Sequence, residues 1–241
     1  MTVQPALGSP GFDSSARLPS LVERYLRRAV PDPDRVPRLV RVTQQGRMRA
    51  KPGGRWMGFH ATEDFQVRSV AFSWRARFTG PLSVLTAVDE YAAGTGRLRV
   101  RLLGVVPVVS ASGPATARAQ AQRYLSELFW APHAMVANPD LRWRELGGDP
   151  AVEVTTMVAG SPVEVRIDFD DVGDISTVST PARSRLIAGD AVDTAWAGRV
   201  ADFTTIGGIR IPTRAEVGWE LPDGPFVYWQ GTVTDIALHY D

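Results

Sequence analysis

Residues 70–78 read VAFSWRARF, and their alternation decides the fold class. Val70, Phe72, Trp74, Ala76 and Phe78 share one parity; Ala71, Ser73, Arg75 and Arg77 share the other. Side chains along a strand point alternately to its two faces, so the segment predicts a strand with one apolar face and one wet face. The pattern recurs further along the chain. Leu98, Val100 and Leu102 alternate with Arg97, Arg99 and Arg101, and Val163, Val165, Ile167 and Phe169 alternate with Glu164, Arg166, Asp168 and Asp170. One-sided burial favours antiparallel pairing. Residues 151–170, AVEVTTMVAGSPVEVRIDFD, predict a hairpin turning at Gly160-Ser161-Pro162. Roughly eleven or twelve strand candidates follow at the spacing of a meander, with too few helices for the crossovers of a parallel sheet.

Two segments break the period of two. Leu18, Leu21, Val22, Tyr25, Leu26 and Ala29 fall at helical spacing. Ser20 and Glu23 fit a capping box, while Pro19 offers a start one residue earlier. Arg27 and Arg28 suit the negative end of the helix dipole, and Pro31 and Pro33 end the helix. A second helix is predicted over 115–129, with Ala117, Ala121, Tyr124, Leu125, Leu128 and Phe129 as an apolar stripe for the sheet to receive. Trp130 falls off that stripe, and Pro132 takes Ala131 out of helical geometry, so the direction of Trp130 is open. Residues 1–16, rich in Gly, Ser and Pro, read as a disordered lead-in to a single domain over 17–241.

The composition of the 241 residues, 44% hydrophobic and 22% charged, is that of an ordinary globular chain. A net charge of +1 argues against a general electrostatic grip on nucleic acid. The absence of cysteine excludes thiol catalysis, thiolate metal sites and disulfides. No segment reads as a signal peptide or membrane span, which places the expected chain in the cytoplasm.

Six stretches in order resemble a bacterial family of domains of unknown function: LPSLVERYLRRAV, GRMR, FSWRARF, GRLRVRLLGVVPVVSASG, RYLSELFWAP and GGIRIPTRAEVGWELPDGPFVYWQGTVTDI. That resemblance spans most of the chain and implies no catalytic residues. The order of elements is also similar to the half-open barrels of bacterial lipoprotein carriers, which cradle acyl chains between a curved sheet and a helical cover. Together these readings predict a mainly β (α+β) fold. Its strongly curved antiparallel sheet, a half-open barrel, carries an N-terminal helix and a covering mid-chain helix.

On that fold the candidate ligand-binding residues are Phe72, Trp74 and Phe78 on the inner face, Tyr124 and Leu128 on the helix, and Trp130 and His133 where the helix ends. Burial in a core alone accounts for such rings, at about 1.5–3 kcal/mol each. The expected ligand is a lipid or other hydrophobic small molecule. The alternatives are a hydrolase pairing a histidine with a carboxylate, and a protein-interaction module using an exposed edge strand.

No cofactor or metal is expected. DFDDVGD, with Asp168, Asp170, Asp171 and Asp174, lacks the twelfth-position glutamate of a calcium loop and reads as a turn with solvated acids. His60, His133 and His239 form no local ligand motif. Asp89 and Glu90, adjacent in a strand, face opposite ways. Glu127, at the edge of the helix stripe with Arg123 one turn back, reads as a surface ion pair, the alternative being a half-buried carboxylate that meets a ligand headgroup. Arg75, Arg77, Arg97, Arg99 and Arg101 read as a wet face neutralised by acids such as Glu164 and Asp168, the alternative being an arginine ladder that receives an anion or headgroup. The oligomeric state is left open.

Overall fold

The computed structural model describes residues 18–80, 83–187 and 190–241. The lead-in expected over 1–16 lies outside them. Helix α1 (Ser20–Ala29) precedes six strands: β1 (Leu39–Met48), β2 (Met57–Gln66), β3 (Phe72–Phe78), β4 (Leu85–Ala92), β5 (Thr95–Leu102) and β6 (Val106–Ser112). Helix α2 (Pro114–Ser126), a 3-10 turn (Leu128–Trp130) and the short α3 (His133–Ala137) follow. Seven strands close the chain: β7 (Arg142–Leu146), β8 (Ala151–Val158), β9 (Ser161–Phe169), β10 (Ile175–Ile187), β11 (Asp190–Ile206), β12 (Ile209–Leu221) and β13 (Gly224–His239).

All thirteen strands belong to one antiparallel sheet, ordered β6-β5-β4-β3-β2-β1-β13-β12-β11-β10-β9-β8-β7. Two meanders are therefore zipped along β1 and β13, and β6 and β7 remain as free edges. A twisted sheet of this width must curl. Helix α2 touches β4, β5 and β6 from one end of the order and β8, β9 and β10 from the other, so it lies inside the curl. The result is the expected half-open barrel with its covering helix.

The VAFSWRARF alternation holds: Phe72, Trp74, Ala76 and Phe78 are buried, and Arg75 and Arg77 are exposed. The predicted hairpin turns earlier than expected, at Ala159-Gly160. Both have positive φ (49° and 81°), as a two-residue type I′ connection requires, and Ser161 already begins β9. Helix α1 starts after Pro19, with no capping box. The Ser20 hydroxyl and backbone N–H instead donate to Glu145 Oε1, at 3.2 and 2.9 Å.

Helix α2 corrects the idea of a single apolar stripe. The stripe is buried, but so are Ala119, Gln120, Gln122 and Ser126 on other sides. A helix enclosed by a curl has no free side. It comes close to the sheet at Gly96 of β5, where a Cβ would lie within 2.7 Å of Ala117 Cα and 2.8 Å of the Thr116 carbonyl oxygen. Gly96→Ala should therefore lower stability by about 1–3 kcal/mol, read from urea unfolding. An unchanged midpoint would mean that the helix tolerates displacement.

The arginine face is salt-bridged with partners other than those expected. Arg75 meets Asp64 at 3.7 Å, and Arg97 and Arg99 meet Glu90 at 3.9 and 2.8 Å. Glu164 and Asp168 belong to β9, on the opposite arm of the sheet. In DFDDVGD, Asp170 Oδ1 accepts the backbone N–H groups of Val172 and Asp174, which makes the expected turn. Asp174 is not solvated, however; it is buried and takes both Nη atoms of Arg210 at 2.7 Å, with Arg28 at 3.1 Å.

Candidate functional site

On the neighbouring strands β1, β2 and β4, three inward positions break the apolar alternation. They are Gln44 after Val40 and Val42, Glu63 between Ala61 and Phe65, and Asp89 between Ala87 and Tyr91. Register places Glu63 opposite Trp74 and Trp74 opposite Asp89, so two carboxyl groups flank one indole across β2, β3 and β4. Helix α2 supplies the counter-charge. Arg123 donates through Nη2 to Glu63 (2.9 Å), through Nη1 to Asp89 (2.7 Å) and through Nε to Glu127 (3.0 Å). Its guanidinium also lies 5.1 Å from the ring centres of Phe72 and Trp74.

The surrounding polar groups are tied into the same network. Trp74 Nε1 donates to Gln44 Oε1 at 3.0 Å, Gln44 Nε2 donates to Glu63 Oε2 at 3.1 Å, and Gln120 Nε2 donates to Asp89. The Arg123–Glu127 pair is thus no surface ion pair. It is one edge of an interior cluster.

Burial dominates the protonation of this cluster. Desolvation pushes the Glu63 carboxyl well above the usual carboxylate range; Arg123 opposes the shift, and Glu127 and Asp89 add to it. Asp89 is raised for the same first reason, again against the pull of Arg123. For Arg123, burial alone would lower the pKa, but Glu127, Glu63 and Asp89 outweigh it, so the guanidinium is held charged.

Beside this cluster a hollow of about 400 Å³ opens between the inner face and helix α2. Asp89, Gln120, Arg123 and Glu127 form one part of its lining. Its opposite wall is aromatic: Trp196 of β11, Trp219 of β12, and Phe226, Tyr228 and Trp229 of β13. The wall is braced by Trp196 Nε1 donating to Tyr228 Oη at 3.0 Å and by Trp219 stacked on Tyr228 with ring centres 5.7 Å apart. Five of the seven tryptophans line this hollow.

Of the residues singled out from sequence, Trp74, Phe78 and Trp130 line the hollow. Phe72 lies under Arg123 instead, and Tyr124 and Leu128 are fully buried in the core. The Tyr124 hydroxyl donates to the Gln66 carbonyl at 2.8 Å and accepts from Asn138 at 3.0 Å. Trp130 is turned inward by the 3-10 turn, and its Nε1 donates to the Pro212 carbonyl at 3.0 Å. His133 is buried at the start of α3 with its Nδ1 unpartnered, and burial lowers its pKa.

Among the described residues, no histidine ring hydrogen-bonds a carboxylate, and no three His, Asp or Glu side chains gather as metal ligands would. Sequence reasoning passed over Glu63, Gln44 and the β11–β13 aromatics. The usable signal was polarity out of phase: one Gln, one Glu and one Asp in otherwise apolar inward registers. No local pattern announced the aromatic wall, because its members come from three strands.

A larger hollow of about 930 Å³ lies on the outer face, lined by Arg47, Arg199, Arg214, Glu216 and Gln230 among others. Its polar groups satisfy one another: Arg47 donates to Gln230 at 2.8 Å, Gln230 donates to Glu216 at 3.2 Å, and Arg214 meets Asp202 at 3.3 Å. The inner hollow is therefore the better site.

The fold and this site define a half-open antiparallel barrel with a helix in its curl and an aromatic cavity beside a buried charge cluster. The chain belongs to a family of unknown function, DUF6544, whose model matches residues 10–231. No curated protein matches the sequence significantly. Among solved structures, a LolA superfamily protein from Nitrosomonas europaea is 14% identical, with 91% of this chain and 92% of that chain covered and a TM-score of 0.46. A DUF1329 family protein from Desulfovibrio piger is 9% identical over the same shares, with a TM-score of 0.48. At these identities the likeness is one of fold alone.

Proposed function

We propose that the chain is a binding protein for a hydrophobic or amphiphilic small molecule, held without chemical conversion in the cavity between α2 and the β11–β13 wall. The observation that carries this reading is the cavity itself. Protein interiors are packed to the density of organic crystals, with few voids larger than a water molecule. A hollow of this volume, faced by five indoles, is in the size range of small-molecule sites and has their apolar lining with a few polar groups.

Intrinsic fluorescence is the natural reporter, since most of the tryptophans face the ligand space. Titration of the delipidated protein with a bromine-labelled alkyl chain is expected to quench emission saturably, and native mass spectrometry of the undelipidated protein is expected to show a bound organic mass. Linear, non-saturating quenching together with a bare protein mass would overturn the proposal.

A further inference from the structure

We infer that the cavity recognises the anionic head, carboxylate or phosphate, of its amphiphile through Arg183, with Arg185 following at the mouth. This rests on the cavity reading above and adds the chemical class of the ligand. Strand β10 pairs regularly with β11 up to Thr180, opposite Trp196, and resumes with Arg183 opposite Thr194. Two residues, Pro181 and Ala182, intervene as a bulge. Strict alternation from Val178 and Thr180, both inward, would bring Ala182 and Ser184 inward next; the bulge shifts the phase and turns Arg183 and Arg185 to the concave face. Proline suits the position because it has no N–H to lose from a ladder.

The bulge is anchored. Its Ala182 carbonyl accepts from Arg118 Nη2 at 2.6 Å and from Gln122 Nε2 at 2.9 Å, both on helix α2. Gln122 also donates to Thr180 Oγ1 at 3.1 Å. The arginine pair is thereby held to the same helix that roofs the cavity.

Arg183 lines the cavity and is 8% exposed. Its guanidinium lies 4.7 Å from the centre of the Trp196 ring. Among the described residues, its side chain has no hydrogen-bond acceptor and no carboxylate within ion-pair distance. The nearby acid, Asp89, is already bonded to Arg123 and Gln120. The guanidinium has no protein acceptor among the described residues and keeps some solvent contact in the cavity, and its planar fork matches a carboxylate or a phosphate. Arg185 stacks over Trp219 at 5.7 Å, and β10 then runs out to the exposed Leu186 and Ile187. The cationic groups thus lead from the rim inward, and the indole wall is left for an apolar tail.

The test compares dodecanoate, dodecyl phosphate and dodecanol, titrated into the delipidated protein by tryptophan fluorescence. At least one anion is expected to bind about tenfold or more tightly than the alcohol. Which anion does so separates a carboxylate head from a phosphate head. Arg183→Met is expected to abolish that preference and leave dodecanol affinity within about twofold. Equal affinities for all three in the wild type, or an intact preference in R183M, would overturn the inference while the cavity reading stands. Failure of all three to bind would remove the cavity reading as well. If R183M lacks a thermal transition, Arg183→Lys decides instead: loss of anion affinity alone supports the inference, and unchanged affinity overturns it.

Discussion

Replacing Arg123 by methionine is expected to destabilise the protein by about 3–5 kcal/mol at neutral pH, the usual result of removing one side of a buried ion pair. The methionine fills much of the same volume, so the loss is electrostatic rather than a void. Glu63, Asp89 and Glu127 would be left around an uncharged side chain, with Glu63 fully enclosed. The loss carries a pH signature. In the native protein, the folded-state pKa values of Glu63 and Asp89 lie above their ordinary ones. An acid whose pKa is raised by folding binds its proton more tightly in the folded state. Its contribution is therefore fully present below the ordinary carboxylate pKa and is lost as pH rises through the folded one.

Without Arg123 both shifts grow, because the group opposing them is gone. The gap between wild type and R123M should accordingly be wider at pH 8 than at pH 5. Glu63→Gln, which cannot titrate, should flatten the slope in the wild-type background. Urea unfolding at the two pH values measures all three proteins. A gap that is small, or the same at both pH values, would show that the cluster is solvated and unimportant to the fold.

Trp130→Ala should cost about 3–5 kcal/mol, as large-to-small changes of buried aromatic rings do. The indole is 2% exposed, packs edge-on against Phe129 with ring centres 4.9 Å apart, and meets Trp229 at 6.3 Å. Its removal merges the ring's volume with the adjoining cavity and strips the Pro212 carbonyl of its donor. Trp130→Phe keeps most of the apolar surface and loses the hydrogen bond, so its loss should be nearer 1–2 kcal/mol. Equilibrium unfolding followed by circular dichroism separates the two variants. Near-equal losses would assign the effect to the hydrogen bond. A loss below about 1 kcal/mol in the alanine variant would mean that the 3-10 turn does not hold this ring in the core.

How much was legible beforehand differs between strands and site. The strands around VAFSWRARF were readable because burial on one face imposes a period of two that needs no distant partner. Asp89 and Glu90 separate to opposite faces for the same reason. Trp130 was not readable, since a 3-10 turn of three residues changes the angular step where the stripe ends. Arg183 was hidden by the Pro181-Ala182 bulge, which reverses the parity that alternation would assign to it.

From sequence alone came the mainly antiparallel character, the N-terminal and mid-chain helices and the family resemblance, all properties of local periodicity and chain order. Only the tertiary structure decided that α2 lies within the curl, that Arg123 meets carboxylates 60 and 34 residues away in sequence, and that tryptophans of three strands form one wall. The physical reason is the curl. A local pattern records which face of each element is buried, but which buried faces meet depends on how the whole sheet bends.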